Sequence, residues 1–114
     1  MRLRLVTLKG ALTHLAAPAE EQIRYLNDLF GSEAVAYGND ELALELTDAI
    51  SSHHDLRERG LLSDTQIAAV QAVDQMLVGL SKRGNEGFWK RDALLTDPRW
   101  EQVRLAAHAA LATL

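Results

Sequence analysis

Along most of this chain, apolar residues recur at steps of three and four, the spacing of one face of an α-helix. The stretch Ser63 to Lys82 shows the pattern most completely, with Ile67, Val70, Val73, Leu77 and Leu80 on one side. Ser63 and Gln66 stand at the capping-box spacing, in which the serine oxygen accepts from the N–H three residues on and the glutamine reaches back. The pattern stops at Gly84. One residue breaks the stripe: Asp74 projects between the directions of Ile67 and Val70, where an unpaired carboxylate is costly. It is expected to be a structural residue, protonated, hydrogen-bonded or matched by a cation. Arg104, at the edge of the final stripe and with a stem long enough to reach inward, is the expected partner; His53 falls one turn too far.

The same periodicity places the other helices. Leu8, Leu12 and Leu15 fit a short first helix, with Thr7 positioned to cap it and Gly10 weakening it. Pro18 suits the start of a second helix, with Ile23, Leu26, Leu29 and Phe30 as its stripe and Gly31 as its end. Gly31 to Asn39 has no helical period and reads as the longest connection. Asp40 can cap a third helix reaching to about Gly60, in which Leu42, Leu46, Ala49, Ile50 and Leu56 share one face and His53 lies on the apolar side. Gly60-Leu61-Leu62 is short enough to fold this helix and the central one into an antiparallel hairpin. A loop then leads to a short aromatic helix with Phe88, Trp89, Asp92 and Leu95, where Trp89 is expected to be partly buried and to hold that helix on the bundle. Asp97 and Pro98 open a last helix with Trp100, Val103, Ala107, Leu111 and Leu114 as its stripe. Only Arg2 to Leu8 alternates like a strand, and no second run exists to pair with it, so residues 1–7 read as an N-terminal arm. The expectation is an all-α fold in one domain, 1–114: a bundle of five or six helices around a central antiparallel hairpin.

Composition agrees with that class. The chain has 114 residues, 47% of them hydrophobic and 25% charged, with few aromatics and two prolines. The absence of cysteine excludes disulfides, thiolate metal sites and a cysteine nucleophile. Neither a spanning apolar run nor a secretion leader is evident, so the expected location is cytoplasmic, away from the membrane.

Charge changes the picture more. The net charge is −4, and it is unevenly spread: residues 20–81 hold twelve acids against only Arg24, Arg57 and Arg59, whereas both flanks are basic. Glu41, Glu45, Asp48 and Asp55 fall on one side of the third helix and make an acidic face able to attract a basic surface. Such a row could also supply an acid and a base or bind a hard cation, but no second group with an opposing environment is evident. His14, His53, His54 and His108 are scattered, and no metal-ligand spacing links them. No cofactor is expected. Gly84-Asn85-Glu86-Gly87 lacks the lysine-hydroxyl pair of a phosphate loop. Phe88-Trp89-Lys90-Arg91, with Arg83 and Arg99, interleaves aromatics and bases as single-strand nucleic-acid sites do, against the opposing net charge of the chain. No motif is specific enough to name a family. By general analogy, small acidic helical domains without a catalytic signature serve as partner-binding modules, immunity-type inhibitors of basic toxin nucleases among them. The expected function is therefore a non-catalytic module that binds a basic protein through its acidic helix face. A small enzyme or metal-binding protein and a nucleic-acid-associated protein are the alternatives.

Overall fold

The computed structural model describes residues 8–31, 39–51, 58, 60, 62–81 and 84–114. Among them the backbone forms α1 (Leu8–Ala16), α2 (Ala19–Phe30), α3 (Asp40–Ile50), α4 (Asp64–Leu80), a 3-10 turn (Glu86–Trp89), α5 (Ala93–Thr96) and α6 (Pro98–Ala112). The protein is an all-helical bundle, with no strand among the described residues. The arm at 1–7, His53, Asp55 and the stretch expected to carry the third helix to Gly60 lie largely or wholly outside those residues.

Local chemistry starts the two longest helices. At α4, Ser63 Oγ accepts from the Gln66 N–H at 3.1 Å and the Ser63 N–H donates to Gln66 Oε1 at 2.7 Å, so two helix-start donors are satisfied. Gln66 Nε2 also donates to the Thr113 carbonyl at 2.6 Å, which ties the beginning of α4 to the end of α6. At α6, Asp97 accepts from the Arg99 N–H at 2.9 Å and Pro98 takes the first turn, where its missing N–H costs nothing. Asp40, by contrast, is the first residue of α3 and makes no cap; the preceding Asn39 is buried and donates to the Lys90 carbonyl at 2.6 Å.

Helix α6 runs through the centre. It packs most extensively against α1 and also against α4, and α3 closes over α1 and α4. The short side chains of Ala11, Ala107 and Ala110, all fully buried, suit a close approach of helix axes. Ile67, Val70, Val73 and Leu77 form the buried face of α4, as the spacing predicts. Two expectations need correction. The aromatic segment is a 3-10 turn and a separate four-residue α5, because Lys90 between them is extended (φ −78, ψ 149) and interrupts the helix. In α2 the buried residues are Gln22 and Leu26, whereas Leu29 and Phe30 are exposed.

The aromatic turn is pinned by stacking and by its indole donors. Phe88 and Trp100 are fully buried with ring centroids 4.2 Å apart and planes within 6°. Trp89 stands edge-on to Phe88 at 4.9 Å and to Trp100 at 5.9 Å, arrangements that aromatic quadrupoles favour. Trp89 Nε1–H donates to the Leu80 carbonyl at 2.9 Å and Trp100 Nε1–H to the Phe88 carbonyl at 2.8 Å. Trp89 is partly buried and holds the turn against the end of α4, as expected.

Buried Gln22 completes a polar relay. Its Nε2 donates to the carbonyls of His14 (3.1 Å) and Leu15 (3.0 Å), two of the acceptors that the end of α1 leaves over. Its Oε1 accepts from Arg104 Nε at 2.9 Å, and Arg104 Nη2 donates to the Leu94 carbonyl in α5. The expected Asp74–Arg104 pair therefore does not form. Arg104 does reach inward, but toward α2 and α5, whereas Asp74 on α4 accepts from Thr47 Oγ1 of α3 at 3.0 Å.

A candidate docking groove between α3 and α4

The acidic row of α3 is divided by the packing. Glu45 is fully buried at its side chain, accepting from the Tyr25 hydroxyl and facing His14 Nδ1 at 2.8 Å. The His14 and Tyr25 rings stack at 4.0 Å with 30° between planes, so Glu45 joins α1, α2 and α3 and is withheld from any partner. Its expected place on the exposed acidic face is thus corrected: position 45 turns toward α1, and two polar side chains from other helices make burial of its carboxylate tolerable. Glu41 is partly exposed and Asp48 exposed.

The surface that the row flanks is apolar. Asp40, Ala43, Leu44 and Thr47 of α3 face Asp74, Leu77 and Val78 of α4, and Ser81 just after it, across a cleft of about 420 Å³, with Trp89 also in its lining. Leu44 keeps 45% of its surface exposed and Val78 57%. The Thr47–Asp74 hydrogen bond sets an antiparallel register that brings Leu44 beside Leu77 and Val78 and Asp40 toward Ser81. One carboxylate consequently stands at each end of an apolar floor. The hydroxyls are already committed: Thr47 donates to Asp74, and Ser81 Oγ donates to the Leu77 carbonyl at 3.0 Å. The lining therefore offers a partner hydrophobic surface and negative charge, and it sets no hydroxyl beside a histidine base. Among the described residues, no three His, Asp or Glu side chains gather as metal ligands would.

Other candidates are less available. A larger depression of about 760 Å³ between α1, α2, α5 and α6 is walled by Ala16, Pro18, Leu94, Leu95 and Leu105, and the guanidinium beside it is engaged with Gln22 and Leu94. The aromatic-basic segment turns largely inward: Phe88 and Arg91 are buried, and Arg91 donates to Asn27 and, at 3.2 Å, to the Gly31 carbonyl. Arg99 lies 5.2 Å from the Phe88 ring centroid and pairs with Asp97 at 2.6 Å. Hydrogen bonding to Arg99 holds the Asp97 carboxyl below its usual range and raises the guanidinium above its own. No described helix is long and apolar enough to cross a membrane. The groove went unread in the sequence, although a signal for it exists: Leu44 and Val78 are apolar residues that fall off the stripes of their own helices. No protein-family model matches the chain, and no curated protein or solved structure is detectably similar to it.

Proposed function

We propose that this chain is a non-catalytic protein-binding module that engages a basic partner at the α3–α4 groove, with an immunity-type inhibitor of a basic toxin as the narrower form. The observation that carries the reading is the pair of exposed apolar side chains, Leu44 and Val78, held between the carboxylates of Asp40 and Asp74 on a chain of net charge −4. Apolar surface left open in this way supplies affinity once it is covered. Acidic surroundings steer a basic partner toward it and suppress acidic competitors. Glu41 and Asp48 extend the negative rim along α3.

The test begins with proteins from the native host retained at low salt and released at high salt. Each is then purified, and its association rate is measured against wild type and against Asp40→Lys/Asp48→Lys. Both positions are exposed, so the substitutions leave the core intact. A basic partner whose association slows about tenfold at low ionic strength, with the difference shrinking as salt rises, is the expected result. An unchanged association rate at low salt overturns the proposal.

A further inference from the structure

We infer that the occupant of the groove is an amphipathic α-helix carrying basic residues at positions i and i+7 and apolar residues at i+3 and i+4. This inference rests on the reading of the groove as a docking surface and specifies its partner. Asp40 and Thr47 are seven positions apart on α3, and Thr47 Oγ1 holds Asp74 at 3.0 Å across the groove. At 1.5 Å per residue the Asp40 and Asp74 ends are separated by about 10 Å along α3. Two basic side chains seven residues apart on a helix span the same distance. Between the two acids the floor is Ala43, Leu44, Leu77 and Val78, which receives the apolar pair at i+3 and i+4.

The backbone of the site selects a helix over an extended segment. Both walls are α-helices whose main-chain groups are bonded within each helix, so they offer no edge to which a strand could add. A helical ligand satisfies its own N–H and C=O groups and seats its side chains between the two rows of the groove. Polar demand inside is also low. Thr47, Ser81 and the Trp89 indole N–H are spent on Asp74, Leu77 and Leu80, so Trp89 contributes its ring to the lining.

The probe is a capped, fluorescently labelled alanine–glutamine peptide with lysine at i and i+7 and leucine at i+3 and i+4. Binding to the full chain is followed by anisotropy and by the emission of Trp89, since Trp100 is fully buried. Saturable binding with a shift in Trp89 emission is expected. Moving the second lysine by two positions turns it to the far side of the helix and weakens binding about fivefold at low salt. Replacing both lysines by glutamate abolishes it. In the protein, Val78→Lys weakens binding at least about tenfold with an unchanged circular dichroism spectrum, because this side chain is more than half exposed. Equal binding of the two lysine spacings, survival of binding in Val78→Lys, tighter binding of an extended basic peptide, or no binding at millimolar peptide overturns the inference. If the peptide fails while Asp40→Lys/Asp48→Lys still slows a basic partner, the helical ligand is refuted and the docking surface stands. If those substitutions leave the partner's association unchanged, the docking surface is refuted as well.

Discussion

Replacing Arg104 by methionine removes the centre of the relay that serves α1, α2 and α5 while keeping most of the stem that packs there. The guanidinium donates to Gln22 Oε1 at 2.9 Å and to the Leu94 carbonyl, and both of these residues are about 99% buried. Each buried acceptor left without a donor costs roughly 1–3 kcal/mol. The contact to Glu101 at 3.2 Å involves a carboxylate whose side chain is 63% exposed, and an exposed pair of this kind adds at most about 1 kcal/mol. Relief of the guanidinium's own desolvation offsets part of the loss. The expected cost of Arg104→Met is therefore about 2–5 kcal/mol, a large share of the roughly 5–15 kcal/mol that holds an ordinary domain together. Arg104→Lys, which keeps a donor but not the fork, falls between. Gln22→Leu strands the guanidinium and the His14 and Leu15 carbonyls, so the double variant should lose about 1–2 kcal/mol less than the sum of the singles. Urea unfolding followed by circular dichroism at constant slope measures all four variants against the unsubstituted protein. A loss below about 1 kcal/mol for Arg104→Met, or strict additivity in the double variant, would refute the relay as described.

Asp74→Ala makes the opposite expectation: partly exposed, and with Thr47 its hydrogen-bonded neighbour, it should cost less than about 1 kcal/mol in the same assay, and a loss above 3 kcal/mol would show a deeper role. Asp97→Ala removes the cap of α6 and should cost about 1–2 kcal/mol, read as a lower urea midpoint. The carboxyl of Asp97 lies below its usual 3.8 chiefly through the Arg99 side-chain hydrogen bond, so its contribution is full above that value and fades as pH falls through the lower folded one. Asp97→Asn should flatten the acid limb of the stability profile, and identical limbs for the two proteins would contradict this.

The features readable from sequence are those whose partners lie within a few positions. The Ser63–Gln66 box and the Asp97–Pro98 start of α6 depend on neighbours two or three residues away. Asp74 stood out as a misfit, but its partner depends on which helix lies across from it, and that is tertiary information. Glu45 reads as a surface residue, and nothing in the sequence marks Gln22, because the groups that make their burial tolerable, His14 and Arg104, lie 31 and 82 positions away. The groove is only half legible for the same reason: Leu44 and Val78 stand off their stripes in the sequence, but only antiparallel packing aligns them between two acids.

The dominance of the α1–α6 interface has a consequence for how the chain is made. Helix α1 leaves the ribosome before the other described helices, yet its most extensive packing is with a segment translated some eighty residues later. During that interval the nascent chain carries uncovered apolar surface that chaperones or aggregation partners can engage. Synthesis halted before Pro98 leaves α1 and α4 without the helix they share. The bundle thus closes only once α6 has been translated, and the timing of that closure is set by the order of its helices.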